Sequence, residues 1–231
     1  MRKYRALAPA VPARPRVFLQ PVKLRGYRET QVSKARPGPP TTQPTGSLGL
    51  GAYNPQMQRV SRLILTGFMG AGKSTVGPIL ARELGWKFVD LDDVIEASSQ
   101  RTVAEIFRDY GEVDFRRRER HAVLNLIGQE EIVLALGGGT VEDESTRSLL
   151  IRSPGNCVVF LHAELPELLA RCTVEGKTRP LLAAPESLEH RHNRRLPHYR
   201  AAHITVTTTG LAPEEVAECV LTEVRKRVSE A

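Results

Sequence analysis

The sequence predicts an α/β fold in which a mostly parallel sheet is covered by helices on both faces, and three observations predict it. Short apolar segments alternate with segments of helical period along residues 58–231. A glycine-rich loop stands between the first strand and the first helix. Polar residues and glycines follow the strands, where parallel sheets place their ligands.

The pattern predicts five strands, at 62–66, 87–91, 132–136, 157–162 and 203–207. It predicts helices at 73–84, 93–98, 103–109, 112–127, 143–151, 164–172, 186–194 and 213–228. Any further chemistry is therefore expected just after each strand.

The first strand leads into a phosphate-binding loop. Residues 63–75 read LILTGFMGAGKST and contain the pattern G-x-x-x-x-G-K-[ST]. Glycines let the backbone N–H groups turn toward phosphate oxygens, and the N-terminus of the following helix adds its positive dipole. Lys73 supplies an ammonium group, and the hydroxyl of Ser74 is a ligand for magnesium. The loop predicts that the chain binds a nucleotide.

Two carboxylates follow the second strand. Residues two apart on a strand share a face, so Asp90 and Asp92 are expected side by side next to the loop. One carboxylate could hold the magnesium shell while the other draws the proton from an attacking hydroxyl. The alternative is that they cap the next helix, a role that Asp93 fits better.

Three glycines at 137–139 follow the third strand, and they suit a place where backbone approaches a ligand closely. A plain tight turn is the alternative. On the helix before that strand, Arg116 and Glu119 are i,i+3 neighbours, so the acid can orient the guanidinium. Arg117 and Arg118 are read as a solvated face of this helix.

Residues 173–185, TVEGKTRPLLAAP, are rich in helix-breaking residues. The segment contains Lys177 and Arg179 and predicts a mobile flap with a cation to place on a transferring phosphoryl group. Arg195, on the helix after the flap, offers a further cation.

The first 57 residues differ in composition from the rest. They hold ten lysines and arginines, one acidic residue and nine of the 16 prolines, which leaves residues 58–231 with a net charge of −2 out of the chain's +7. We expect a basic, proline-rich, disordered extension over residues 1–57. It could be a basic tail, a transit peptide or an untranslated leader with Met57 as the true start. The near-neutral remainder gives no reason to expect a nucleic-acid partner.

No run of 18 apolar residues is present, so no membrane span is expected. Cys157, Cys172 and Cys219 lack metal-ligand spacing and suit a reducing cytosol.

Together these segments resemble the shikimate kinase family. The resemblance covers residues 60–228 and rests on GFMGAGKST, FVDLDD, DFRRRE, LALGGGT and the flap RPLL followed by R-x-P-x-Y, in that order. It implies a three-layer P-loop fold of the nucleoside-monophosphate-kinase type, with a five-stranded parallel sheet and a mobile lid at about 173–190. Residues 58–231 are then a single domain.

The resemblance also implies an activity: ATP-dependent phosphorylation of the 3-hydroxyl of shikimate, giving 3-phosphoshikimate and ADP with Mg²⁺. We expect a cytoplasmic monomer whose ligands are ATP and shikimate. The implied catalytic residues are Lys73, Asp92 and Arg179. The implied shikimate-binding residues are Asp92, Arg116, Gly138, Gly139 and Arg195. The implied ATP-binding residues are Gly70, Ala71, Gly72, Lys73, Ser74, Thr75, Arg171 and Arg179, and the metal site is Ser74 with Asp90.

Two features depart from the family pattern. His198 stands where leucine is usual, and Arg194 lies beside Arg195, which leaves the main carboxylate ligand open between the two arginines. A related small-molecule kinase such as gluconate kinase, or a non-catalytic partner-binding protein on the same fold, is the alternative function.

Overall fold

Five parallel strands form the centre of the protein. The computed structural model describes residues 60–174 and 187–230. The strands are β1 (Arg62–Thr66), β2 (Lys87–Asp90), β3 (Ile132–Ala135), β4 (Asn156–His162) and β5 (Ile204–Thr207). They form one sheet in the order β2-β3-β1-β4-β5, and every pairing is parallel. All five predicted strands are confirmed to within a residue or two.

Helices connect the strands and cover the sheet. They are α1 (Lys73–Leu84), α2 (Leu91–Ser99), α3 (Val103–Leu126), α4 (Glu144–Arg152), α5 (Leu165–Val174), α6 (Leu188–Tyr199) and α7 (Pro213–Glu230), with a 3₁₀ turn at Thr140–Glu142. The two helices predicted on either side of residue 111 are the two halves of α3. Gly111, with φ 78° and ψ 176°, breaks the helix between them.

The sheet is buried on both faces. Every residue of β1 and of β3 is buried, so neither strand shows the alternation of a sheet with one wet face. Leu63, Ile64 and Leu65 of β1 lie at the centre of the apolar core. This burial confirms the layered fold in which helices lie above and below a parallel sheet.

The strand ends bring distant segments together at one edge. In the register of the sheet, Ala135 pairs with both Leu65 and Asp90, which places the ends of β1, β2 and β3 side by side. The loop after β1, the acidic pair after β2 and the glycines after β3 are therefore neighbours, as predicted.

Some expectations lie outside the described residues. These are the extension over residues 1–57 and most of the lid, including Arg179; the flanks of the lid belong to α5 and α6. Of the helices in the described ranges, none has both the length and the apolar character needed to cross a bilayer.

Candidate active site

The loop after β1 takes a shape that only glycines adopt easily. Gly67, Gly70 and Gly72 all have positive φ, at 144°, 77° and 92°. A side chain at Gly67 would also strike the carbonyl oxygen of Leu161 in β4, at 2.6 Å. Gly72 is the N-cap of α1, so the N-terminal end of that helix opens onto the loop. The loop is therefore built to bind an anion.

Lys73 and Ser74, the first two residues of α1, both make side-chain hydrogen bonds beside the loop. The ammonium of Lys73 donates hydrogen bonds to the carbonyl oxygens of Gly67, at 2.7 Å, and Phe68, at 3.1 Å. The hydroxyl of Ser74 donates to Oδ2 of Asp90 at 2.8 Å. A hydroxyl and a carboxylate oxygen this close are the hard oxygen donors that Mg²⁺ prefers, so these residues fit a magnesium site that also uses phosphate oxygens. Within the described ranges no group of three or more His, Cys, Asp or Glu residues forms a metal cage, and Mg²⁺ bound with a nucleotide needs none.

The two carboxylates after β2 lie together, but not for the predicted reason. The strand ends at Asp90, and α2 begins at Leu91, so Asp92 is on the first turn of a helix rather than on the strand. Asp90, not Asp93, is the N-cap: its Oδ1 accepts from the backbone N–H of Asp92 at 3.1 Å. The capping alternative is thus correct for Asp90, while its other oxygen still reaches Ser74.

Asp92 is an unusually basic carboxylate. Burial, together with the negative charges of Asp90 and Glu119, raises its pKa to about 6, while Lys73 opposes them. At neutral pH this carboxylate is ionised and is a better proton acceptor than an ordinary aspartate.

Arg116 is fixed by an acid on its own helix, as the i,i+3 spacing predicts. Its Nη1 lies 2.8 Å from Oε2 of Glu119, and Glu112 contacts the exposed side of the guanidinium at 3.1 Å. Glu119 is itself buried and accepts a 2.6 Å hydrogen bond from the hydroxyl of Thr140. Arg116 is therefore held in place beside the glycines at 137–139, here called the glycine turn.

Arg195 reaches the same turn from α6. Its side chain is 3% exposed, whereas that of Arg194 is 49% exposed, and both arginines contact Glu142. The hydroxyl of Tyr199, one turn further along α6, donates to the carbonyl oxygen of Gly138. Burial beside the turn favours Arg195 over Arg194 as the ligand for a substrate anion.

The glycines at 137–139 are the point where these side chains converge. A Cβ added to Gly137 would lie 2.9 Å from Oε1 of Glu119 and 3.4 Å from Oδ1 of Asp92. One added to Gly138 would lie 3.4 Å from Nη1 of Arg195, and one added to Gly139 would overlap with the guanidinium of Arg116. The triple glycine is thus a close approach of backbone to functional side chains rather than a plain turn.

Arg171 lies on the other side of the loop. From α5 it donates to the hydroxyl and the carbonyl oxygen of Thr208, at 2.9 and 2.8 Å, and to the carbonyl oxygen of Gly70 at 3.4 Å. It therefore joins the phosphate loop to the segment after β5.

The structure also shows residues that the sequence did not single out. Thr140 braces Glu119, and Glu142 contacts both Arg194 and Arg195. No local signal marks Glu142, because its partners are more than 50 positions away in the chain.

Comparison with known proteins identifies the family. A sequence profile of the shikimate kinase family matches residues 69–225. This chain belongs to the shikimate kinase family.

Relatives in the shikimate kinase family match over most of their own length. The shikimate kinase of Thermus thermophilus is 46% identical over 158 residues, which are 67% of this chain and 84% of the relative. That of Streptomyces avermitilis is 42% identical over 165 residues, 70% of this chain and 94% of the relative. The structure of shikimate kinase from Acinetobacter baumannii in complex with shikimate superposes with a TM-score of 0.67 at 34% identity, covering 74% of this chain and 96% of that one. The shikimate kinase of Bacteroides thetaiotaomicron gives 0.64 at 28%, with 71% and 98% covered.

Proposed function

We propose that this chain transfers the γ-phosphoryl group of ATP to the 3-hydroxyl of shikimate, giving ADP and 3-phosphoshikimate. The supporting observation is the convergence of Asp92, Arg116 and Arg195 on the glycine turn next to the phosphate loop. A basic carboxylate and two cations around one small space are what a hydroxylated carboxylic acid requires. Membership of the shikimate kinase family supports the same substrate.

The two arginines account for the acidic acceptor. Arg116 and Arg195 come from different helices, α3 and α6, and approach neighbouring glycines. Two planar guanidinium groups can bind one carboxylate through several charge-assisted hydrogen bonds, which a neutral sugar does not call for. We infer that the carboxylate and ring of shikimate bind here, against Gly138 and Gly139.

Asp92 is proposed as the base. It accepts the proton of the 3-hydroxyl as that oxygen forms a bond to the γ-phosphorus and the bond between this phosphorus and the bridging oxygen of ADP breaks. Its pKa of about 6 keeps it ionised at the pH of a cell yet basic enough to help.

We assign the binding of ATP, the phosphoryl donor, to the loop and α5. Residues 70–75 and Arg171 bind ATP, and Lys73 stabilises charge that develops on the phosphoryl group. Ser74 and Asp90 would hold Mg²⁺, which supplies charge neutralisation on the phosphate oxygens when bound. Arg179, outside the described residues, is proposed to close over the phosphates as part of a lid at about 173–190.

We also propose the domain boundaries, the location and the oligomeric state of this chain. Residues 58–231 form one catalytic domain that acts as a cytoplasmic monomer without nucleic-acid or membrane partners, and residues 1–57 are an extension. Size-exclusion chromatography with light scattering of a chain starting at Met57 tests both the domain boundary and the monomer. An aggregated, inactive or dimeric product would contradict them.

A coupled assay of ADP release tests the function. With purified protein, ATP and Mg²⁺, we expect turnover with shikimate and only background with gluconate or without an acceptor. Turnover with gluconate instead would establish the sugar-acid kinase. No turnover with any acceptor, although ATP binds, would favour the non-catalytic alternative.

A further inference from the structure

Glu142 is a partly buried acid whose contacts join the glycine turn to α6. It ends the 3₁₀ turn Thr140–Glu142, and its backbone N–H donates to the carbonyl oxygen of Gly139 at 3.0 Å. Arg147 holds the same turn from α4 by donating to the carbonyl oxygen of Val141 at 2.7 Å. The Glu142 carboxylate therefore projects from a backbone that is fixed next to the substrate site.

The two oxygens of this carboxylate have different partners. Oε2 lies 3.0 Å from Nη2 of Arg195, and Oε1 lies 2.9 Å from Nη2 and 3.0 Å from Nε of Arg194. Burial raises the pKa of Glu142, but the charges and hydrogen bonds of Arg195 and Arg194 outweigh it and leave the pKa below the ordinary value. Glu142 is therefore ionised at neutral pH and balances the charge of Arg195 inside the protein.

The guanidinium of Arg195 has a fixed partner, but one of its N–H groups has no hydrogen-bond acceptor within the described ranges. Nη2 contacts Glu142, and Nη1 faces Gly138. Its Nε is buried and has no hydrogen-bond partner within the described ranges. A buried N–H without an acceptor is costly, so the protein partners of this guanidinium do not use all of its donors.

We propose that Glu142 is a positioning residue for the acceptor: it holds Nη2 of Arg195 so that the remaining donors of this guanidinium bind the substrate carboxylate. This inference rests on the proposed function and names a residue that acts through Arg195 without touching the substrate. The carboxylate of Glu142 fixes the side chain of Arg195 before the acceptor binds. Less conformational entropy of Arg195 is therefore lost when the acceptor binds. Glu142 and the acceptor thus share Arg195 without competing for the same nitrogen.

Steady-state kinetics of Glu142→Ala and Glu142→Gln test the proposal, with Glu144→Gln as the matched control. Glu144 lies two residues further on and is exposed. We expect Glu142→Ala to raise the KM for shikimate about tenfold, a size typical of coupled contacts. The kcat and the KM for ATP should stay within about twofold, because positioning a binding group affects ground state and transition state alike. Glu142→Gln keeps an acceptor oxygen and should show a smaller rise, and the control none.

A double-mutant cycle separates positioning from general support of the fold. In an Arg195→Ala background, the further change Glu142→Ala should alter the KM for shikimate by less than about twofold, since its effect passes through Arg195. Three outcomes would overturn the proposal. The first is a double mutant whose KM for shikimate rises by the product of the two single effects. The others are a Glu142→Ala variant whose KM for ATP rises as much as its KM for shikimate, and one whose KM for shikimate is unchanged. Tighter shikimate binding in Glu142→Ala would also overturn it, because it would show competition. If the alanine variant does not fold, as judged by its melting curve, the glutamine variant decides.

The wild-type control keeps the two proposals apart. A wild-type chain that does not phosphorylate shikimate overturns the proposed function and this inference with it. A wild-type chain that does so, with Glu142 variants of unchanged KM, overturns only the role of Glu142.

Discussion

The guanidinium of Arg116 lies so close over Gly139 that a methyl group on residue 139 would overlap with three of its atoms. Gly139 has an ordinary backbone conformation, with φ −103°, so it is the close approach and not the turn that requires glycine. If Arg116 moved aside, it would lose its contact with Glu119 on the buried side.

Gly139→Ala is therefore expected to displace the guanidinium of Arg116 and weaken acceptor binding. We expect the KM for shikimate to rise by about tenfold or more, with a small effect on the KM for ATP, because a misplaced cation loses charge-assisted hydrogen bonds. Initial-rate kinetics with each substrate varied in turn will measure both constants.

The control for this substitution is Gly128→Ala, since a Cβ there meets no atom within 4 Å. It should leave both KM values unchanged. A Gly139→Ala enzyme with wild-type affinity for shikimate would remove Arg116 from the acceptor site.

Asp92→Asn is expected to lower kcat by roughly 10²-fold or more while ATP still binds, which is the usual size of a general-base effect. In the wild-type enzyme, kcat/KM should fall about tenfold per pH unit below pH 6, because protonation of Asp92 near its pKa of about 6 removes the base. A pH profile of both enzymes checks this. Near-normal turnover of the variant, or a flat acid limb in the wild type, would exclude Asp92 as the base.

The same substitution should stabilise the folded protein. The pKa of Asp92 is raised from 3.8 to about 6 by burial, so the folded state favours the protonated form and an ionised Asp92 costs stability above pH 6. Asp92→Asn should raise the unfolding free energy by on the order of 1–3 kcal/mol at pH 8, and the gain should fade as the pH drops toward 4. Urea denaturation at several pH values measures it. A destabilised variant at pH 8 would show that the carboxylate is well solvated or well paired.

Arg171→Ala is expected to affect only the nucleotide. Because Arg171 links Gly70 of the loop to Thr208 after β5, its loss should raise the KM for ATP several-fold and leave the KM for shikimate unchanged. Arg82→Ala on the exposed face of α1 is the matched control. A rise in the KM for shikimate alone would contradict the assignment of this side of the loop to ATP.

The fold followed from the sequence because its signals are local. Apolar runs that are buried on both faces mark parallel strands, and Gly111 marks the break in α3. Arg116 and Glu119 were predictable as a pair because helical spacing brings them together.

Other parts of the site depend on details that spacing cannot show. Asp90 and Asp92 lie together because Asp90, the last residue of β2, is the N-cap of the helix whose first turn carries Asp92, and not because of strand geometry. The contact between Glu142 and Arg195 depends on how α6 packs against the 3₁₀ turn, which no local pattern encodes. Burial of Arg195 rather than Arg194 is likewise settled only by the packing of α6.

The strand order separates the segments after β2 and β3 from the segment after β5. β1, with the phosphate loop, is the middle strand of the five. Asp92 and the glycines at 137–139 follow β2 and β3 on one side, whereas Arg195 precedes β5 and Thr208 follows it on the other. Substitutions around Asp92 and these glycines are therefore expected to affect the acceptor more than the contact of Arg171 with Thr208. Such an architecture lets evolution, or an engineer, exchange the acceptor while keeping the phosphoryl donor.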